Sequence, residues 1–297
     1  MMNRHTVYRV GNATITRVTD IVIDQFTPDR LFLNWNDYRD QLRPEWKLPG
    51  TMSPEGDRVL LSIHTWVIQH QGKVILVDTG SGNDKDRPHA PYFHHLKTDY
   101  LKRLAAVGVS PEDVDVVLTT HLHVDHVGWN TRLESGLWVP TFPNAKYFFS
   151  KLEHQYYNDP ANHNERNRTS FQVQQDSVNP IVDAGLATLL HTVDTEPVNG
   201  FTLYPTPGHS PGHVSIVFRS AVETALFSGD IVHHPFQVFA PELMTIFDAN
   251  TEQASRTRLW GLNFAAEHDS VLFSPHFAGS SAGRVISSNG NFTWKFI

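Results

Sequence analysis

The sequence predicts an α+β fold, a four-layer αβ/βα sandwich in which two sheets pack face to face and helices cover both outer surfaces. Two observations carry this expectation. Strand-like runs come in clusters separated by helix-like segments in both halves of the chain. Several of those runs end in a His or an Asp, and strand ends are where such a sandwich opens to solvent. No linker or low-complexity tract divides the 297 residues, so one domain is expected over 1–297, with a loop insertion around 24–57. A chain of that length can bury a sizeable core.

The elements follow in order. Ala13 to Val18 alternates as a strand does. The stretch from Asp24 to Asp57, rich in Pro, Asn and aromatics, reads as an extended loop with short helical pieces. Val59 to Gln69 and Lys73 to Val77 flank His70-Gln71-Gly72, a hairpin signal. Asp78 to Asp84 is a loop. His95 to Val107 reads as a helix with Leu96, Tyr100, Leu101 and Leu104 on one face and Gly108 as its stop. Ser110-Pro111-Glu112-Asp113 opens a capped turn, and Asp115 to Thr120 is a buried strand. In the second half, Lys146 to Phe149 is a strand and Lys151 to Tyr157 a helix. Phe201 to Tyr204, Val214 to Phe218 and Ala225 to Phe227 are strands. Thr251 to Ala266 is a helix with Thr251 near its cap, and Val271 to Phe273 is expected as the last buried strand.

Composition narrows the function. The net charge is −7 and no basic run stands out, which argues against nucleic acid as a partner. With no cysteine, disulfides and thiolate ligands are both excluded, so any metal site must use nitrogen and oxygen. No apolar run is long enough to span a bilayer, and Met1 to Tyr8 does not look like a secretion signal, so a cytoplasmic location without membrane contact is expected.

The string His121-Leu122-His123-Val124-Asp125-His126 places three imidazoles and a carboxylate within six residues, at the end of an apolar strand. These groups suit zinc and related divalent metals, and packing does not explain four of them fanned out there. Three distant candidates also sit at strand ends. His209 lies in the turn Thr206-Pro207-Gly208-His209, Asp230 ends Ala225 to Asp230, and His276 follows Val271 to Pro275.

Together, His-x-His-x-Asp-His, the Thr-Pro-Gly-His turn, Gly-Asp and a late His resemble the metallo-β-lactamase superfamily, in order and over nearly the whole chain. The resemblance implies that His121, His123 and His209 hold one metal, that Asp125, His126 and His276 hold a second, and that Asp230 bridges them. It implies two divalent ions, zinc first, with manganese, cobalt or iron also accepted by these ligands. It places Asp78 as an acceptor behind a ligating imidazole. An aspartate bridge without cysteine is similar to the glyoxalase II, lactonase and organophosphate hydrolase branches rather than to the true β-lactamases. His233, three residues after Asp230, stands where acyl-homoserine-lactone lactonases have a tyrosine and looks like the methyl-parathion-hydrolase group. It could donate to an oxyanion or leaving group, or be a loop histidine bonded to backbone. His213 is assigned to structure.

The expected activity is hydrolysis of an ester or lactone, acyl-homoserine lactones included, with arylesterase and phosphotriesterase promiscuity. Asp125 and His233 are the residues expected to handle the proton and the leaving alkoxide. The aromatics Phe26, Phe32, Trp35, Trp129, Phe236 and Phe239 are expected to wall an apolar small-molecule pocket. The alternatives are an organophosphate hydrolase, a glyoxalase II-like thioesterase, a mononuclear iron persulfide dioxygenase, a nuclease, and a binding module that keeps the metals only to hold a ligand. Aromatics in the 24–57 loop would suit a homodimer contact.

Overall fold

Alternation along single strands builds the layers. In the computed structural model, which describes residues 6–41, 43, 46–191 and 195–297, Val116 and Leu118 face the core between the two sheets while Val117 faces outward. Val271 and Phe273 likewise point inward and Leu272 outward. That is the period-two geometry of an extended chain buried on both sides.

The first sheet has the order β1 (Val7–Val10), β2 (Ala13–Phe26), β3 (Val59–His70), β4 (Lys73–Val77), β5 (Val116–Leu118), β8 (Lys146–Ser150), β9 (Ala187–Leu190). The second is β10 (Thr195–Val198), β11 (Phe201–Pro205), β12 (Val214–Ser220), β13 (Glu223–Phe227), β14 (Val271–Phe273), β15 (Ala282–Ser288), β16 (Asn291–Phe296). A hairpin of β6 (Thr131–Glu134) and β7 (Leu137–Pro140) stands apart. Neighbours are antiparallel except β4–β5–β8–β9 and β13–β14, which run parallel. Parallel neighbours need crossovers. Three are helical: α2 (Tyr100–Ala106); the run α3 (Lys151–Asn158), α4 (Arg168–Val173) and α5 (Asn179–Asp183); and α6 (Phe236–Phe239) with α7 (Thr251–Glu267); the β5–β8 crossover carries the β6–β7 hairpin instead. The four-residue α1 (Pro28–Leu31) lies in the loop after β2. Tyr100, Leu104, Val173 and Ile181 cover the first sheet, and Leu262 and Ala265 of α7 cover the second. The αβ/βα sandwich is the observed architecture.

Several boundaries differ from expectation. The helix expected from His95 begins only at Tyr100. His95 has φ 49°, and the Asn83 side chain brackets Thr98, accepting from its N–H and donating to its carbonyl, so this segment is pinned to the preceding loop. Thr251 opens α7 next to its cap, as expected, and the cap is Asn250, whose side chain accepts from the Gln253 N–H. β14 is not the last strand, because β15 and β16 close the second sheet through an Asn289-Gly290 turn with φ 51° and 78°. β2 runs on to Phe26, and the rest of the 24–57 loop holds α1 and short 3₁₀ turns; residues 42, 44 and 45 of it lie outside the described residues.

The loop after β4 is held by a buried ionic knot. Arg87 makes a two-pronged pair with Asp176 at 2.6 and 2.7 Å, and Lys85 donates to Thr131 Oγ1 at 2.6 Å and to the Asp176 carbonyl at 2.9 Å. Burial pulls the Lys85 amine down to about 7, with Asp176 opposing. An unfolded lysine titrates near 10.4. Between those values the unfolded chain binds the extra proton, so metal-free protein will gain stability as pH rises from about 7 to 10, by at most about 1.4 kcal/mol per unit. Urea unfolding at pH 7 and 9 checks this: Lys85→Met should remove that slope, and identical slopes in the two proteins would refute it.

Candidate metal centre

Four ligand-bearing loops, and a fifth that carries the supporting Asp78, converge where the strands end. Asp78 follows β4, His121 lies beyond β5, Asp230 follows β13, His276 lies beyond β14, and His209 sits in the β11–β12 turn. The parallel pairs β4–β5 and β13–β14 present their carboxyl ends to the same side, the usual place for a site in sheets of this kind. Two glycines permit the approach. Gly229 has φ +53°, and a Cβ there would sit 2.4 Å from His213 Nε2. Gly208 has φ +136°, and a Cβ there would meet the Ala254 amide nitrogen at 2.2 Å.

The structure brings His121, His123, Asp125, His126, His209, Asp230 and His276 into one cluster. Asp230 lies at its middle. Its oxygens are 3.0 Å from His276 Nε2, 3.2 Å from His209 Nε2, 3.3 Å from His126 Nε2 and 3.7 Å from His121 Nε2. Asp125 lies further out, 3.7 Å from His126 and 3.8 Å from His276. His121, His123 and His209 form one compact triad, and Asp125, His126 and His276 another.

The outer ring nitrogens decide what the inner ones offer. His126 Nδ1 donates to Asp78 at 2.8 Å, and His276 Nδ1 donates to the Ser62 carbonyl at 3.1 Å. His121 Nδ1 faces Thr120 Oγ1 at 3.0 Å, a hydroxyl that itself donates to Asp78 at 2.9 Å. His209 Nδ1 is 3.4 Å from Asp248, and His123 Nε2 is 2.7 Å from the Tyr157 hydroxyl. The outer nitrogens of His126, His276 and His121 therefore carry the proton, and those of His123 and His209 face oxygens able to accept one, which leaves the inner nitrogens free to present lone pairs. Yet His123 Nδ1 stands 3.0 Å from His121 Nε2 and 2.8 Å from His209 Nε2. Lone pairs that close, with no proton to share, call for a cation between them. His126 Nε2 and Asp230 Oδ1 are buried without a hydrogen-bond partner, as ligands awaiting an ion would be. The residues fit a pair of divalent metals with nitrogen and oxygen ligands.

The electrostatics agree. Burial would lower His126 and His276, but Asp230 and its neighbouring carboxylates outweigh it and push both up. Burial would raise Asp230, but His126, His276, His209 and His121 hold it well below the usual carboxylate range. The pocket thus favours positive charge at its centre.

Behind the cluster stand residues that the sequence reading did not single out. Buried Glu153 of α3 accepts from Leu122 N at 3.2 Å and Gly212 N at 2.6 Å, tying the two histidine loops together. Asp248 faces His209 and, at 3.4 Å, the fully buried Arg258. Tyr157 backs His123. The nearest sequence signal is Ser150-x-x-Glu153, which marks only a helix start. His213 bonds Thr206 through Nδ1 and accepts the Asp230 N–H at Nε2 (2.8 Å each), and burial pushes it down to about 3. It is a neutral strut.

His233 is buried, its Nε2 is 3.3 Å from Asp230, and neither ring nitrogen has a hydrogen-bond partner. Its ring is therefore not a loop histidine bonded to backbone; only its N–H is fixed, by Gln237 Oε1. The cluster opens into a cavity of about 280 Å³ that both Asp125 and His233 line. The expected aromatic wall is corrected here. Phe26, Phe32, Trp35, Trp129, Phe236 and Phe239 do not line the cavity; Tyr92, Phe93, Tyr157 and Phe247 do, with Ile23, Ile63 and other aliphatics. Phe32 stacks on Trp35, and Trp129 on Tyr100, inside hydrophobic clusters, because large rings gain most from full burial. Asp86, His94 and His95 form a separate, exposed grouping on the 84–97 loop.

Among the described residues no helix is long and apolar enough to cross a membrane. The chain is 26% identical over 198 residues to a probable metallo-hydrolase, YybB, of Bacillus subtilis, covering 64% of this chain and 74% of that protein. It is 27% identical over 117 residues to an N-acyl homoserine lactonase of Bacillus cereus, covering 39% and 38%. The hydrolase AbOPH, of the beta lactamase superfamily, superposes with a TM-score of 0.81 at 28% identity over 99% of this chain and 97% of that one. AidC, a dizinc quorum-quenching lactonase crystallised with a product, has the same fold, with a TM-score of 0.76 at 21% identity over 99% and 97%. Residues 58–270 match the family description "Metallo-beta-lactamase superfamily", and with the fold and the histidine–aspartate cluster this establishes that the chain belongs to that superfamily of metallo-hydrolases.

Proposed function

We propose that this protein is a hydrolase with two divalent metals, zinc first, acting on uncharged esters and foremost on lactones, acyl-homoserine lactones among them. Aryl esters and phosphotriesters would be slower substrates of the same centre. The observation that carries this reading is the convergence of four imidazoles on buried Asp230, with the His123 ring against two of them, beneath a largely apolar cavity. In this reading His121, His123 and His209 hold one ion, Asp125, His126 and His276 the other, and Asp230 is shared. When bound, such ions supply Lewis acidity and activate water near neutral pH.

The chain's own residues do the rest. Asp125 lies at the cavity edge of the cluster, placed to take a proton from the attacking water or return one to the leaving alkoxide. His233, with both ring nitrogens uncommitted, can donate to the developing oxyanion. The wall of Ile23, Leu61, Ile63 and Phe93 excludes water and favours an apolar acyl chain. Similarity to N-acyl homoserine lactonases and to a dizinc lactonase supports the substrate class.

The test is a metal-stripped protein reloaded with zinc, manganese, cobalt or iron and assayed on γ-lactones, an aryl ester, a phosphotriester and a β-lactam. The expected result is two ions per chain, lactones turned over fastest, and activity lost on stripping. Undiminished turnover by stripped protein, or a single iron with oxygen consumption, would overturn the reading.

A further inference from the structure

We propose that Tyr157 binds substrate, donating its phenolic hydrogen to a carbonyl or carboxylate oxygen of the acyl half, and that His123 holds it in that orientation. The proposal rests on the reading of this site as an ester hydrolase. Tyr157, on α3, is buried, yet it lines the cavity together with Arg166, Ser170, Ile23, Ile63 and Phe93. Its oxygen is 2.7 Å from His123 Nε2. His123 turns Nδ1 toward His121 and His209, and where that nitrogen holds an ion, as in the proposed function, the ring's proton sits on Nε2. The phenol oxygen must then accept from His123.

A phenol keeps its own proton at neutral pH. Since its oxygen already accepts from His123, that hydrogen must find an acceptor elsewhere. In the free protein that acceptor is the Ser170 hydroxyl, which is bonded to Tyr157 and also lines the cavity, where a bound molecule can replace it. Among the described residues no carboxylate or backbone carbonyl accepts from Tyr157. A phenol held in place by a metal-centre imidazole at the cavity lining, next to a second hydroxyl, fits an oxygen of the bound molecule that takes the phenolic hydrogen in place of Ser170. The aliphatic wall suits the chain attached to it. The substrate class this selects is an apolar acyl ester or lactone, whose ring-opened hydroxy acid leaves a carboxylate against the Tyr157 hydroxyl.

Tyr157→Phe keeps the ring and removes the hydroxyl. With zinc saturating and two ions per chain verified, titration calorimetry with 4-hydroxydecanoate, the ring-opened γ-decalactone, should show binding about tenfold weaker than wild type. KM for γ-decalactone should rise by a similar factor while kcat changes less. A chelator competition should show weaker zinc binding as well, because His123 loses its acceptor. Equal product affinity in the zinc-saturated variant overturns the inference and leaves the ester-hydrolase reading intact. A zinc-loaded wild type that neither binds the hydroxy acid nor opens the lactone overturns both.

Discussion

Asp230→Ala will strip metal and turnover together. Asp230 is the anion at the middle of the cluster, with four candidate ligand imidazoles at 3.0 to 3.7 Å and His233 at 3.3 Å. Replacing it with alanine removes the central counter-charge, leaving Asp78 and Asp125 at the side of the imidazoles, and His126 and His276 lose the carboxylate that raises them most. A cation brought into that space would lose its central ligand. The loss in kcat/KM should be no smaller than the roughly 10²–10³ that follows removal of one charge-stabilising group from an active site. Metal analysis of the purified variant should find fewer than two ions per chain. Asp230→Asn separates charge from shape: it keeps an oxygen ligand and should retain more metal than the alanine variant while remaining slow. Two tightly held ions and full activity in Asp230→Ala would remove the shared carboxylate from the proposed function.

The centre was legible wherever chemistry was dense in sequence. Four ligand-type residues within six, delivered by an apolar strand, made His121 to His126 stand out. His209, Asp230 and His276 could be found because each ends an apolar strand, and a buried strand must surface somewhere. Of the layer around them, Asp78 behind His126 and the structural His213 were legible, and the rest was not. Glu153 serves Leu122 and Gly212, which lie 31 and 59 residues away. Asp248, in a loop, meets His209 and Arg258 only once the second sheet and α7 have packed. Such roles are set by tertiary contact, and a lone Glu or Arg in a helical pattern gives no local sign of them. The aromatic pocket failed for a related reason: composition counts rings but does not say which side of a wall they occupy, and the largest rings went to the core. The closing hairpin had its signal, Asn289-Gly290 with alternating Phe292, Trp294 and Phe296 after it, but every second residue there is exposed and the run lacks the apolar density of β14. The start of α2 was misplaced because the pattern of apolar spacing continues back to Leu96, while the Asn83 clamp on Thr98 overrides it.

Arg258→Met should be the most destabilising single change outside the cluster. The guanidinium is fully buried in α7 and donates to three carbonyls, Ile231 at 2.7 Å, Pro241 at 2.6 Å and Leu243 at 2.9 Å, with Asp248 at 3.4 Å. Methionine fills much of the volume but satisfies none of these groups. Breaking a buried pair from one side leaves an uncompensated charge and costs about 3–5 kcal/mol. Asp248 would be that charge: burial raises its carboxyl, and His209, Arg258 and His233 hold it below the usual range. The damage should also reach the centre. Ile231 directly follows Asp230, and Asp248 is the partner of the His209 ring, so zinc affinity should fall by about the 10–100-fold seen when an outer partner of a ligand is lost. Urea unfolding of the metal-free proteins isolates the first effect and chelator competition the second. Adding Asp248→Asn to Arg258→Met removes the stranded charge, so the double variant should cost less than the sum of its parts. Strict additivity, or an Arg258→Met unfolding free energy within about 1 kcal/mol of wild type by linear extrapolation, would mean that the guanidinium only fills space.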